Sequence, residues 1–213
     1  MALALCMTAS TACSESRTRE SSPTPTHEDN GTQAEQKRNN KKAVKEGKAL
    51  VIFFSHAGDN YAVGNIKVGN TKIVADYITE LTGADQFEIR TNKYDGIEYR
   101  ALCDLAKQEQ KDGLLPPFEG KVDMSGYATV FVGGPVWWGT YPQVMFSFFK
   151  KYDLAGKNVI PFTTHEGSGL GRCVDDLRKA CPKANVGKGF AIYGHDVREG
   201  KETVKKWLKQ SGF

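Results

Sequence analysis

The chain has 213 residues, of which 39% are hydrophobic and 25% are charged, and its formal net charge at pH 7 is +4. This length suits one well-buried α/β domain and excludes two large ones. Lys and Arg are interspersed with Asp and Glu along the sequence, so we expect no nucleic-acid partner.

The first 13 residues form a short run of apolar and small side chains that ends in Cys13. Small residues before a cysteine are similar to the end of a bacterial lipoprotein signal, which implies a lipid anchor on Cys13 and a place in the cell envelope. However, no Lys or Arg precedes the run, and Ser10 stands where leucine is usual. The run is too short to span a bilayer, and the alternative is a cytoplasmic protein whose disordered tail has no function.

Residues 14–47 consist mainly of Ser, Thr, Pro, Glu, Lys and Asn, with almost no large apolar side chain. Such a segment cannot bury enough surface to fold. The sequence therefore predicts a lipoprotein-like segment at 1–13, a disordered linker at 14–47 and one folded domain at 48–213.

The folded part begins with a nearly continuous apolar run at 49–54, which is typical of a central parallel strand covered on both faces. Apolar residues at helical spacing predict a helix over 72–81, ended by Gly83. The alternating segment 86–90 predicts a strand nearer an edge, and 97–111 predicts a second helix.

The rest of the domain continues the alternation of strand and helix. In chain order we expect a strand at 129–132, a helix from 143 through 149, a strand at 158–163, a helix at 170–181, a strand at 189–193 and an amphipathic helix at 202–210. Five strands that alternate with helices predict a doubly wound parallel sheet with right-handed crossovers.

Ligands of such sheets bind outside the carboxyl ends of the strands. Three loops of unusual composition leave those ends, at 55–71, 135–141 and 163–171. The first loop passes into a helix through small residues, so its free backbone amides and the helix dipole predict a phosphate site.

Three common motifs fail at single positions. Gly64 and Gly69 are spaced as in a P-loop, but Asn70 stands where a lysine must contact the phosphates. Arg172 replaces the last glycine of a dinucleotide fingerprint, and Glu166 replaces the first glycine of a hydrolase nucleophile elbow. The sequence therefore favours neither an NTPase nor a serine hydrolase.

Two adjacent tryptophans, Trp137 and Trp138, follow the third strand among glycines and prolines. A turn of this kind suits the stacking of a flat ligand, and the alternative is that one or both indoles plug the core. The sequence leaves open which indole would contact a ligand.

The domain contains three cysteines, Cys103, Cys173 and Cys181, without a Cys-x-x-Cys spacing. This odd number and spacing predict ordinary thiols and no metal site.

Each of the three loops carries a motif: Gly69-Asn70-Thr71, then Trp137-Trp138-Gly139-Thr140, then Thr164-His165-Glu166-Gly167-Ser168-Gly169. Their composition and order resemble a branch of the flavodoxin-like family, over residues 48–213. The resemblance implies a three-layer α/β/α domain whose five parallel strands have the order 2-1-3-4-5.

The resemblance also implies FMN as a non-covalent cofactor, with its phosphate at the first loop and its ring system between the other two. The cofactor-binding residues implied in this way are Ser55, His56, Ala57, Asn70, Thr71, Pro135, Val136, Trp137, Trp138, Gly139, Thr164, His165, Gly167, Ser168 and Gly169.

The chain departs from the family pattern in its first loop. Residues 59–68 are inserted there, and Ala57 stands where a threonine hydroxyl is usual, so we expect a lower affinity for FMN. Asn60 and Tyr61 of the insertion either cover the ligand or remain in solvent, and the sequence favours the second alternative.

The resemblance implies electron transfer through the flavin to a redox partner protein. The alternative is an NAD(P)H-dependent oxidoreductase that reduces quinones or similar small acceptors. Carriers of this type are usually acidic around the flavin, whereas the domain has 22 Lys and Arg against 19 Asp and Glu, which weakens the carrier hypothesis. No catalytic residue is predicted; for His56 and His165 a structural or phosphate-contacting role is favoured over proton donation.

Overall fold

The computed structural model describes residues 48–213. The predictions for residues 1–13 and 14–47 lie outside the described residues. Among the described residues, no helix has the length and apolar composition needed to cross a bilayer.

Strands and helices alternate along the described chain, as the hydrophobic pattern predicts. The strands are β1 (Lys48–Phe53), β2 (Gly58–Asn60), β3 (Gly64–Ile66), β4 (Asp85–Glu88), β5 (Tyr127–Pro135), β6 (Asn158–His165), β7 (Asn185–Val186) and β8 (Phe190–Tyr193). The α-helices are α1 (Asn70–Thr82), α2 (Tyr99–Asp112), α3 (Gln143–Lys151), α4 (Cys173–Ala180) and α5 (Lys201–Gln210). Short 3-10 helices cover Asn92–Tyr94 and Gly194–Glu199.

The central sheet is parallel and has the order β4-β1-β5-β6, with β7 and β8 both paired to β6. β7 and β8 share the outer position one after the other, so the sheet has five positions in the predicted order 2-1-3-4-5. The segment predicted nearer an edge is β4, at the opposite edge. The doubly wound α/β fold is confirmed.

Both faces of the sheet are covered by helices. Alternate residues of β1 point to opposite faces, because side chains of a strand have a period of two. Leu50 and Ile52 pack in a cluster with residues of α2, α3 and α4, whereas Val51 and Phe53 pack with residues of α1 and α5. Each buried side chain of this kind contributes about 1.5–3 kcal/mol. These clusters form the predicted three-layer arrangement.

The third predicted strand is longer than the sequence indicates. The sequence predicts that it ends at Val132, but β5 continues through Gly133 and Gly134 to Pro135. A Cβ on Gly133 would lie 1.9 Å from the Phe162 ring, and one on Gly134 would lie 2.4 Å from Met145 Sδ. The two glycines therefore do not form a turn. They remain in the strand and allow β6 and α3 to pack closely against it.

Two helix boundaries also differ from the predicted ones. α4 begins at Cys173 and not at residue 170, because the preceding glycine-rich turn extends to Gly171, which has φ +50°. α2 begins at Tyr99, two residues later than predicted, after Glu98 accepts a hydrogen bond from the Ala101 backbone N–H. The left-handed Gly83 ends α1, as predicted.

Candidate functional site

The first loop brings the end of β1 into close contact with the start of α1. A Cβ on Gly69 would lie 2.3 Å from Ser55 Oγ and 2.5 Å from the His56 carbonyl oxygen, so only glycine fits there. The Lys72 backbone N–H donates to Ser55 Oγ at 3.0 Å. This turn holds the two halves of the predicted phosphate site together.

Several backbone N–H groups of this loop have no acceptor within residues 48–213. They belong to Ser55, His56, Ala57, Asn70 and Thr71. Unpaired donors at the N-terminus of a helix favour a bound anion, because the helix dipole adds positive potential at the same point. The first loop therefore has the geometry of a phosphate site.

The inserted residues do not open this loop. β2 and β3 pair as an antiparallel hairpin, so the chain leaves and returns at neighbouring points. Asn60 Nδ2 donates to the Gly58 carbonyl oxygen at 2.9 Å, and the Tyr61 ring stacks on Tyr99 of α2 with centroids 6.2 Å apart. Asn60 and Tyr61 border the cavity, while Tyr61 keeps 62% of its surface exposed, so the preference for the solvent-exposed alternative stays a prediction.

A pair of buried threonines joins the first and third loops. Thr71 Oγ1 of α1 lies 2.7 Å from Thr164 Oγ1 of β6, and both side chains are buried. A hydroxyl pair of this kind fixes the start of α1 relative to the end of the sheet.

The two adjacent tryptophans occupy different environments. Trp137 is half-buried and meets Phe54, Tyr94 and His56 edge to face, with ring centroids 5.5, 5.2 and 5.8 Å away. These contacts hold the indole between the core and the first loop. Trp137 is thus the inward-facing member of the pair.

Trp138 lies at the surface, with 47% of the residue exposed and a left-handed backbone at φ +50°. Its Nε1 donates to the Cys103 carbonyl oxygen at 2.8 Å, and Lys107 Nζ lies 4.7 Å from its ring centroid. A non-glycine residue rarely adopts this backbone conformation, because it is strained. The contacts of the indole with α2 offset this strain and hold the side chain in place.

The third loop is fixed by hydrogen bonds of its own. Thr163 Oγ1 donates to the Gly169 carbonyl oxygen at 3.0 Å, and the Gly167 N–H donates to His165 Nδ1 at 2.9 Å. Because Nδ1 accepts, the neutral imidazole of His165 carries its proton on Nε2. The loop also contacts the tryptophan loop, since the Arg172 N–H donates to the Gly139 carbonyl oxygen at 2.7 Å.

Glu166 connects the third loop to the segment after β8. Its two carboxylate oxygens accept from the backbone N–H of His195 at 3.0 Å and contact His195 Nδ1 at 2.6 Å. The same side chain approaches Gly194, where a Cβ would lie 2.6 Å from Glu166 Oε1. A fourth segment, which was not predicted, therefore belongs to the site.

The hydrogen bond from Glu166 raises the pKa of His195. The pKa values of His56 and His165 are lowered, because burial disfavours the charged imidazole. His56 Nε2 is buried and has no partner among the described residues. A histidine with a lowered pKa and a free ring nitrogen thus lies beside the predicted phosphate site.

The three loops, the hairpin and α2 surround a cavity of about 710 Å³. This volume falls within the range of about 300–1,000 Å³ that is typical of small-molecule sites. The predicted cofactor residues that line the cavity are His56, Asn70, Thr71, Pro135, Val136, Trp137, Trp138, Thr164, His165 and Ser168.

The other five predicted residues lie elsewhere. Ser55 and Ala57 line a second cavity of about 280 Å³, which also includes His56. Gly139, Gly167 and Gly169 belong to the turns and line neither cavity. All three have positive φ, so they shape the loops.

A family comparison covers nearly all of the described chain. The family model described as Flavodoxin matches residues 48–211. The chain belongs to the flavodoxin family.

Solved structures agree with this assignment. A candidate flavoprotein from Bacteroides uniformis ATCC 8492 is 29% identical, with a TM-score of 0.64, and the match covers 78% of this chain and 99% of that one. One from Bacteroides eggerthii DSM 20697 is 26% identical, with a TM-score of 0.59 and coverage of 77% and 97%. A flavoprotein in complex with FMN from Lactobacillus acidophilus NCFM is 19% identical, with a TM-score of 0.55 and coverage of 72% and 97%. No curated protein matches the chain.

The family motifs do not account for the whole cavity of this flavodoxin. Residues that sequence reasoning missed come from the hairpin, α2 and the segment after β8: Asp59, Val63, Tyr99, Arg100, Leu102, Cys103, Asp104, Ala106 and Gly194. The unusual aromatic Tyr61 within a polar insertion was the one indication that this segment packs on another element.

The cysteines of this flavodoxin are free thiols within residues 48–213. Burial raises the pKa of Cys173 to about 12 and that of Cys181 to about 11, so both are unreactive. Cys103 is partly exposed and lines the cavity.

Proposed function

We propose that this protein binds FMN without a covalent bond and transfers electrons through it. One observation carries the proposal: the free N–H groups of His56, Asn70 and Thr71 border the same cavity as the indoles of Trp137 and Trp138. FMN combines a dianionic phosphate with a flat ring system, and the two ends of this cavity are complementary to those two parts. Membership of the flavodoxin family and the FMN in the Lactobacillus acidophilus flavoprotein support this choice.

Each of the three loops binds a different part of FMN. Ser55, His56, Ala57, Asn70 and Thr71 bind the phosphate through backbone amides and hydroxyls. Residues 135–139 contact one side of the ring system, and Thr164, His165, Gly167, Ser168 and Gly169 contact the other. When bound, FMN supplies redox chemistry in one- or two-electron steps, and the protein sets its orientation and exposure to water.

The neutral histidines act as hydrogen-bonding groups in this proposal. His56 offers a free ring nitrogen next to the phosphate site, where a charged imidazole is disfavoured by burial. His165 is held by the Gly167 N–H and packs on Tyr193, with ring centroids 4.4 Å apart. Its Nε2–H is available to donate toward the cavity that His165 lines.

An NAD(P)H-dependent oxidoreductase that reduces quinones or similar acceptors is the second candidate. Two observations favour it. The domain is slightly basic, whereas carriers use acidic surfaces to meet basic partner proteins. The cavity also extends beyond the predicted cofactor-binding residues, to the hairpin inserted in the first loop and to α2.

Rapid mixing of the FMN-loaded protein with NADH or NADPH separates the two candidates. Bleaching of the flavin absorbance within milliseconds to seconds indicates a nicotinamide site and hence an oxidoreductase. For a carrier, we expect the flavin to remain oxidised under NADH or NADPH, and to pass electrons to a redox protein after chemical reduction.

For residues 1–47, outside the described part, we propose a lipid anchor on Cys13 that holds the domain at the bacterial cell envelope. Partitioning of the full chain into detergent tests this proposal, with the Cys13→Ser variant as the comparison. Partitioning that survives the substitution contradicts the anchor and favours a cytoplasmic protein.

A further inference from the structure

The segment after β8 meets two of the three loops at one point, Gly194. A Cβ on Gly194 would lie 2.4 Å from Asn70 Nδ2 in the first loop and 2.6 Å from Glu166 Oε1 in the third. All three residues line the cavity. The amide of Asn70 and the carboxylate of Glu166 therefore border the same small space, at the start of α1.

Hydrogen bonds fix this segment from two sides. The Tyr77 hydroxyl of α1 donates to the Arg198 carbonyl oxygen at 3.0 Å, within the 3-10 helix that begins at Gly194. On the other side, the Glu166 carboxylate accepts from the His195 backbone N–H and contacts His195 Nδ1. The Glu166 side chain is only 14% exposed, so its charge has a fixed position next to the first loop.

The net charge of this contact depends on the protonation of His195. The groups that face its ring are Glu166 from the third loop, Asp196 Oδ1 at 3.7 Å from Nε2, and the Tyr193 ring, with centroids 5.0 Å apart. The hydrogen bond with Glu166 raises the pKa of His195, whereas burial lowers the pKa of His165, on the other side of Tyr193. His195 therefore loses its proton at a higher pH than His165 does.

Loss of this proton changes the electrostatic potential beside the first loop. While His195 is protonated, its charge compensates that of Glu166. Once His195 is neutral, the Glu166 carboxylate is uncompensated next to Asn70, whose backbone N–H belongs to the proposed phosphate site. A negative charge at this place opposes the negative charge of a bound phosphate.

We infer that Glu166 and His195 form a charge pair that determines how strongly the first loop prefers FMN over riboflavin, which lacks the phosphate. This inference rests on the proposed function, because it concerns the phosphate of bound FMN. The preference is greatest while His195 is charged, and it decreases as the pH rises and the proton leaves. The inference concerns binding and assigns no chemical step to either residue.

Fluorescence titrations of the FMN-free protein with FMN and with riboflavin, from pH 7 to pH 9, test the inference. The second pKa of a phosphate is about 6, so the phosphate stays mostly dianionic over this range. We expect the FMN affinity of the natural sequence to fall about two- to fivefold at low ionic strength. Riboflavin should show no such decrease.

Two variants separate the effect of charge from a structural role. Glu166→Gln keeps an oxygen acceptor but removes the negative charge, so at pH 9 it should bind FMN about two- to fivefold more tightly than the natural sequence. His195→Asn keeps a nitrogen donor but cannot become charged, so at pH 7 it should bind FMN more weakly by a similar factor. Neither variant should retain the pH dependence. Asp175→Asn removes an exposed carboxylate that lines neither cavity, and it should keep the profile of the natural sequence.

Three results overturn the inference and leave the proposed function standing. The first is an FMN affinity of the natural sequence that stays constant from pH 7 to pH 9. The second is weaker FMN binding by both variants at every pH, because the contact would then be only structural. The third is an equal decrease for FMN and riboflavin, since the charge would then act on the ring system. A natural-sequence protein that binds no FMN at any pH contradicts the proposed function itself, and this inference with it.

Discussion

Trp138 shows how contacts hold a single residue in an unfavourable backbone conformation. Its backbone is left-handed and its indole is half exposed, but the Nε1–H is bonded to α2 and the ring lies under Lys107. We expect Trp138→Ala to lower the affinity for FMN about three- to tenfold, since a stacking surface is lost. Trp138→Phe should retain most of the affinity. Fluorescence titration with FMN measures both, and unchanged affinity in Trp138→Ala would mean that the indole does not contact the ring system.

Substitution of Gly69, another single residue, tests the proposed phosphate site. A Cβ there would meet Ser55 Oγ and the His56 backbone, so Gly69→Ala should displace the N–H groups that we propose bind the phosphate. FMN should bind the natural sequence more tightly than riboflavin, which lacks the phosphate, and Gly69→Ala should remove most of this preference. Gly126→Ala serves as the control, because a Cβ at Gly126 meets no atom within 4 Å. A preference that survives in Gly69→Ala would place the phosphate elsewhere.

The contact between Glu166 and His195 predicts a dependence of stability on pH. The folded pKa of His195 is raised above its ordinary value of 6.5, so the pair stabilises the folded state fully below that value. The contribution is lost as the pH rises through the raised pKa. The melting temperature of the FMN-free protein should therefore exceed that of Glu166→Gln by more at pH 6 than at pH 9. A difference that is constant over this range would contradict a charged pair.

Residue types predicted most of the cavity lining that the three loops supply, because the relevant sequence patterns are local. The free amides of the first loop follow from small residues before a helix, and the threonine and glycine motifs of the third loop follow from their spacing. The sequence does not predict which tryptophan faces inward. The position of Trp137 depends on contacts with Phe54 and Tyr94, and that of Trp138 depends on a hydrogen bond to α2. The sequence places Glu166 in the third-loop motif, but it does not predict the contact with His195, which is 29 residues away.

At the scale of elements, α2 supports the tryptophan loop through a buried carboxylate. Glu109 Oε2 accepts from the Tyr94 hydroxyl at 2.8 Å, and Lys93 Nζ lies 2.7 Å from Oε1. Burial and the neighbouring carboxylate raise the pKa of Tyr94, whose ring meets Trp137 edge to face. The 3-10 helix and α2 thus hold the inner indole from behind.

Removal of the Tyr94 hydroxyl tests this support. We expect Tyr94→Phe to lower the free energy of unfolding by about 1–3 kcal/mol, because the buried Glu109 carboxylate loses its hydroxyl partner. Urea denaturation gives the value. Tyr127→Phe is the matched control, since the Tyr127 hydroxyl bonds to a carboxylate that remains accessible to water, that of Asp85, and should cost less. Equal costs for the two variants would argue against a buried supporting contact.

Strands and helices were predictable where burial imposes a period, and less so where glycine or polar residues carry the structure. β1 and α1 follow directly from their apolar patterns. β5 extends past its predicted end because Gly133 and Gly134 leave room for neighbouring side chains, a requirement that appears only once β6 and α3 are in place. The hairpin was missed since neither of its strands is apolar or longer than three residues.

For the whole molecule, the order of elements was enough to place the site. A doubly wound parallel sheet brings the carboxyl ends of β1, β5 and β6 to one edge, where the three predicted loops meet. The order of elements does not predict the size of the site. The hairpin inserted in the first loop and α2 extend the cavity beyond the predicted cofactor-binding residues, and this extension bears on the choice between a carrier and an oxidoreductase.

The central claim is that one FMN binds without a covalent bond in the 710 Å³ cavity. Equilibrium titration of the FMN-free protein, followed by the quenching of flavin fluorescence, tests it most directly. We predict saturation at one FMN per chain and release of the intact cofactor when the protein is denatured. A protein that leaves the fluorescence of micromolar FMN unchanged would contradict the claim.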